Sequence, residues 1–79
     1  MTNWRDHIHS DPKILLGKPT IKGTRISIEL ILELLAKGWT NEMLLESYPS
    51  IKAEDLTAVF LYLRECIQHE LYFPIAKSA

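Results

Sequence analysis

Gly38 and Pro49 constrain the folding of this chain more than any other residues. They cut a long helix-forming sequence into three runs. Glycine ends a helix in the left-handed cap position, and proline pushes the residue before it out of helical geometry. Ser27 is a good N-cap for the first run, with Glu29 favourably placed in its first turn. Ile28, Leu30, Ile31, Leu32, Leu34 and Leu35 follow and leave only a narrow polar edge at Glu29, Glu33 and Lys37. A helix this apolar, about residues 28–37, is central to the fold. Trp39 is placed to fold back on Leu34 beyond the Gly38 cap.

Thr40 caps a second helix, about residues 41–48, with Met43, Leu44 and Tyr48 on its inner side. The third helix is the longest, about residues 53–71, on the order of 28 Å at 1.5 Å per residue. Leu56, Phe60, Leu63, Ile67 and Leu71 recur at helical spacing and predict its inner stripe. Ile51 and Leu56 are spaced as a hydrophobic staple. Leu61 and Tyr62 fall off the stripe and predict a second contact face. Helix, short turn, helix over residues 40–71, preceded by a packing helix, is the pattern of a helix-turn-helix domain.

The part before residue 27 reads differently. Ile14-Leu15-Leu16 has the composition of a short strand, and Gly17 permits a backbone angle that other residues resist. Pro19 cannot donate to a ladder, so Pro19–Ile21 is expected as an edge strand or extended arm. In an extended chain Lys18, Thr20 and Lys22 share one face, and Pro19 and Ile21 share the other. Arg25 stands where it can pair with Glu29. The chain thus divides into an extended or β arm (1–26), a three-helix bundle (27–71) and a tail (72–79) within a single domain.

Charge follows the same division. Residues 1–25 carry five cations (Arg5, Lys13, Lys18, Lys22, Arg25) against Asp6 and Asp11, while residues 26–79 carry four cations against eight carboxylates. A basic arm on an acidic body predicts two surfaces with different partners. Arg5, Lys18, Thr20, Lys22 and Arg25 are the candidate phosphate-facing residues of the arm. Lys52 and Thr57 are the candidates at the start of the third helix, where a helix-turn-helix reads base edges. Glu54 and Asp55 oppose that approach to DNA and have a simpler role as first-turn acids.

Seventy-nine residues give a marginal core. Pro19, Ile21, Leu61, Tyr62, Tyr72, Phe73 and Ile75 are therefore expected at an interface, first of all a homodimer.

Other chemistries find little support. Gly17-Lys18 runs into Pro19 and Gly23-Thr24 into Arg25, which excludes a phosphate loop of the Gly-Lys-Ser/Thr kind. His7 and His9 share a face if extended, and Cys66 and His69 lie one turn apart, but neither pair has the partners a zinc site needs. No third group orients Cys66 and His69 for nucleophilic catalysis. We expect no catalytic residues, no metal and no cofactor. A single cysteine and the lack of a long apolar run or signal core point to the cytoplasm and away from a membrane.

Asp11-Pro12, Gly17-Lys18-Pro19, Ile21, Gly23-Thr24-Arg25-Ile26, Gly38-Trp39-Thr40, Tyr48-Pro49 and Glu54-Asp55-Leu56 stand in an order and spacing that resemble domain-of-unknown-function family 433. The likeness covers about residues 4–70. It implies a mainly α, homeodomain-like bundle with a short N-terminal β arm. It further implies an antitoxin similar to the VapB type, which pairs with a PIN-like ribonuclease toxin and binds its own promoter DNA. The alternatives are a DNA-binding regulator without a toxin and a homodimeric structural module. Two departures stand out: Leu16-Gly17 where Gly-Gly is common, and Lys52-Ala53 where Thr-Pro usually supplies a helix cap.

Overall fold

The computed structural model describes residues 2–69. Two short strands, β1 (Ile8–His9) and β2 (Thr20–Ile21), precede three helices, α1 (Ile28–Ala36), α2 (Asn41–Ser47) and α3 (Ala53–Gln68). The strands pair antiparallel, Ile8 opposite Ile21 and His9 opposite Thr20. The chain is mainly helical, with helix-turn-helix connectivity between α2 and α3.

The helix ends follow local chemistry. Ser27 Oγ accepts the Leu30 N–H at 3.0 Å, and Thr40 Oγ1 accepts the Met43 N–H at 3.2 Å. Gly38 takes φ +96°, and the Trp39 and Gly38 N–H groups each reach 3.0 Å from the carbonyls of Leu34 and Leu35. These two bonds close the predicted Schellman cap. Lys52 offers α3 no side-chain acceptor, but Asp55 Oδ2 accepts the Lys52 N–H at 2.8 Å. The acidic half of a capping box therefore survives without its usual partner.

The core joins Ile8 and Ile21 of the sheet to Ile28 and Ile31 of α1, Leu44 of α2, Ile51, and Leu56, Ala58 and Val59 of α3. Ile51 and Leu56 are both buried, as the staple requires.

Three expectations fail here, and one open point is settled. Ile14–Leu16 is not a strand. Leu15 and Leu16 adopt left-handed φ of +48° and +57°, continuing into Gly17 at +85°. The Gly17 N–H bonds the Ile14 carbonyl at 3.0 Å, so the segment closes into a turn before it can pair. Second, β2 is the edge strand that Pro19 predicts, and its partner, left open by the sequence, is the preceding segment of the same chain. Third, the inner stripe of α3 is rotated: Leu56 and Leu63 face the core as predicted, but Phe60 and Ile67 do not. Leu56, Ala58 and Val59 are buried, while Phe60 is 50% and Ile67 63% exposed; Leu71 lies outside the described residues. Ala58 and Val59 join the core cluster where α3 meets β1 and α2, and Phe60, next along the helix, faces outward. Fourth, on α2 only Leu44 is fully buried, and Met43 is exposed.

Candidate binding surfaces

The arm is fastened to α3 along its length. A short helical turn, Trp4–Asp6, brings Trp4 onto Tyr62, with ring centroids 4.9 Å apart at 67°. This edge-to-face geometry suits two aromatic quadrupoles. Trp4 Nε1 and Arg5 Nη2 both donate to Glu65 Oε2, at 3.1 and 3.0 Å. The Arg5 guanidinium also sits 4.4 Å from the Trp4 ring centroid, a cation–π contact. At the other end of α3, His7 Nδ1 lies 2.8 Å from Asp55 Oδ1, and His7 Nε2 lies 3.8 Å from Glu54 Oε2.

This arrangement reassigns most of the candidate phosphate contacts. Arg5 is held by Glu65. Lys18 Nζ pairs with Glu29 Oε2 at 3.2 Å, taking the acid that Arg25 was expected to hold. Thr20 is 0% exposed, because it bridges Ser27 as well as pairing with His9. It is therefore not a surface residue. Lys22, Arg25 and Lys52 are exposed and make no ion pair among the described residues. Thr57 is exposed, its Oγ1 3.5 Å from the Ala53 carbonyl.

The expected interface residues scatter too. Ile21 is 1% exposed and belongs to the chain's own core. Pro19 is half-buried, and its carbonyl accepts the Ile28 N–H at 3.0 Å. Tyr62 is covered by Trp4. Leu61 is half-buried and lines a shallow cleft of about 320 Å³ with Trp4, Arg64 and Gln68. Tyr72, Phe73 and Ile75 lie outside the described residues. Sequence reasoning missed Phe60 and Ile67 as surface, although their seven-residue spacing does mark one helix face.

A second cleft of about 360 Å³ lies between the arm and α3, lined by Trp4, Arg5, Tyr62, Glu65, Cys66 and His69. Burial pushes the Tyr62 hydroxyl above its ordinary pKa, and Cys66, one turn further on, adds to the rise. His7 and His9 do not share a face as ligands. His7 bonds Asp55, while His9 lies in β1 with its Nε2 buried and without a hydrogen-bond partner among the described residues. Among the described residues no group of three or more His, Cys, Asp or Glu is placed to hold a metal ion. Nor is any helix there long and apolar enough to cross a membrane.

Residues 8–63 match the family model described as Protein of unknown function (DUF433), and the chain belongs to that family. An uncharacterized protein, y4eO, of Sinorhizobium fredii (strain NBRC 101917 / NGR234) is 34% identical over 58 residues. Those residues are 73% of this chain and 26% of the relative, so the chain spans about a quarter of that protein's length. The crystal structure of a DUF433 member protein from Anabaena variabilis ATCC 29413 has the same fold, with a TM-score of 0.74 at 28% identity. The superposition covers 82% of this chain and 64% of that one.

Proposed function

We propose that this chain is a non-catalytic protein-binding module of the antitoxin kind, and that it engages a PIN-like ribonuclease through the outer face of α3. The observation that carries this reading is the exposure of Phe60 and Ile67, seven residues apart on a helix whose other face forms the core. A helix with large apolar anchors at this spacing docks into an apolar groove of a partner. The acidic body supports the choice of partner. A ribonuclease must present cations to its polyanionic substrate, which the net acidity of residues 26–79 complements around a docking face that itself carries Arg64 between Phe60 and Ile67. Co-expression with a PIN-like ribonuclease tests the reading. Wild type should co-purify and inhibit it, and Phe60→Asp with Ile67→Asp should lose both. A wild-type chain that fails to co-purify counts against the module's antitoxin role.

A second reading, a DNA-binding regulator, is favoured by the helix-turn-helix connectivity and by exposed Lys22, Arg25 and Lys52. It is weakened by Glu54, which stands exposed in the first turn of α3 beside Lys52. On this reading promoter binding falls with salt. Lys22→Ala with Arg25→Ala should flatten that dependence by about two units of log–log slope.

A further inference from the structure

Among the described residues, the Trp4–Asp6 turn makes no backbone hydrogen bond to α3. Its backbone bonds stay within the arm: the Asp6 N–H reaches the Asn3 carbonyl at 3.0 Å, and the His7 N–H the Trp4 carbonyl at 2.9 Å. What fastens the turn to α3 is the Trp4 edge on Tyr62 and the two donors, Trp4 Nε1 and Arg5 Nη2, that share Glu65 Oε2. Trp4, Arg5 and Glu65 all lie outside the buried core, and all lie outside the residues matched to the family. This latch is an addition to the fold, so its release leaves the core whole.

The latch stands between two clefts. Leu61, Arg64 and Gln68 wall the one of about 320 Å³, and Tyr62, Cys66 and His69 wall the one of about 360 Å³. Trp4, Arg5 and Glu65 line both. Around a helix, positions 61, 64 and 68 fall on one side of position 65, and positions 62, 66 and 69 on the other. The arm turn therefore divides what is otherwise a single trough across α3, with Glu65 on its floor. Its present occupant defines the chemistry the trough accepts. An indole meets Tyr62 edge to face, and its N–H converges with a guanidinium on one carboxylate. The guanidinium also stacks over the indole at 4.4 Å. An aromatic residue followed directly by arginine satisfies all of these contacts. The Arg5 side chain is 61% exposed and Trp4 only half-buried, so the occupant sits at the surface where a competitor can replace it.

We propose that this trough is a docking site for a segment of a partner protein in which an aromatic residue precedes arginine, and that the chain's own Trp4–Arg5 turn fills it as an autoinhibitory strap. The incoming segment competes with an arm tethered through β1, whose local concentration is on the order of millimolar. Strap release and partner binding form one equilibrium, and a change that loosens the strap raises the affinity for the partner. The trough lies on a different flank of α3 from Phe60 and Ile67, so the proposal stands independently of the ribonuclease reading.

Titration of the full chain with a peptide copying residues 2–7, followed by nuclear magnetic resonance, tests the proposal. Trp4→Ala opens the strap and should bind the peptide roughly tenfold more tightly than wild type, with amide shifts centred on residues 61–69. Arg5→Ala removes only exposed contacts and so preserves the fold; it should bind about threefold more tightly than wild type. Glu65→Ala added to either variant should abolish binding, as should alanine in place of the peptide's tryptophan. Phe60→Asp with Ile67→Asp should leave peptide binding unchanged. The proposal is overturned if Trp4→Ala and Arg5→Ala bind no better than wild type, or if the peptide without tryptophan binds as well. Amide shifts confined to another surface overturn it too. A wild type that sediments as a dimer, and a Trp4→Ala variant that does not, would make the occupant the arm of a second copy and overturn the assignment to a partner protein.

Discussion

His7 Nδ1 lies 2.8 Å from Oδ1 of Asp55, a residue 48 positions further along the chain. The other oxygen of the same carboxylate accepts the Lys52 N–H. One buried side chain thus both caps α3 and ties the arm to it.

Asp55→Ala should destabilise the fold by about 2 kcal/mol, within the range for losing a cap and a charge-assisted hydrogen bond together. His7→Ala should cost roughly 1 kcal/mol. Asp55→Asn retains an acceptor for the Lys52 N–H and should fall between wild type and Asp55→Ala. Urea unfolding of the four proteins checks the order. Fully additive losses in the His7→Ala, Asp55→Ala double variant would show that the two side chains do not interact.

Glu65 accepts from both Trp4 and Arg5, and the two contacts differ in weight. The ion pair to Arg5 is largely solvated, so Glu65→Gln, which keeps an acceptor for the Trp4 indole, should cost less than about 1 kcal/mol. Trp4→Ala removes the indole hydrogen bond, the contact with Tyr62 and the cover over the cleft, and should cost roughly 2–3 kcal/mol. Chemical denaturation followed by circular dichroism distinguishes them. Equal losses in the two variants would contradict this division.

Local chemistry was legible in the sequence, and long-range chemistry was not. Ser27, Thr40 and Gly38 act through hydrogen bonds to residues within five positions, so their residue types were enough to place all three caps. The facing of α3 was ambiguous because Leu56-Val59-Leu63 and Leu56-Phe60-Leu63-Ile67 are both helical stripes. Only the packing of α3 against the arm and α2 chooses between them. Trp4 with Glu65 and His7 with Asp55 span 61 and 48 positions, and no local pattern announces either. Thr20 was misplaced for a related reason. A two-residue strand bridged on both sides buries both of its residues, so alternation along it carries no information about exposure.

Tyr62 predicts a response to alkali. Its folded-state pKa is raised above the unfolded value, first by burial and then by Cys66. Its contribution to stability is therefore fully present below the ordinary phenol pKa of about 10 and is lost as pH rises through the folded-state value. Ultraviolet titration should show Tyr62 ionising later than in the unfolded chain. Tyr62→Phe should lose part of the alkaline destabilisation, and Cys66→Ala should lower the Tyr62 pKa only partway. A Tyr62 that ionises at the same pH in the folded and the urea-unfolded chain would contradict the raised value.

Thr20 separates a structural role from an anion-binding one. Its Oγ1 is buried without a hydrogen-bond partner among the described residues, on a side chain with no exposed surface. Thr20→Val has nearly the same shape and removes the cost of burying an unpaired hydroxyl. The variant should be as stable as wild type or more stable by roughly 1 kcal/mol, measured by thermal or urea unfolding. If the chain binds DNA, the same variant should bind it with unchanged affinity and unchanged salt dependence, since a residue this deep reaches no phosphate. A Thr20→Val protein that is folded and stable yet loses DNA binding would return Thr20 to the surface and require β2 to open when ligand arrives.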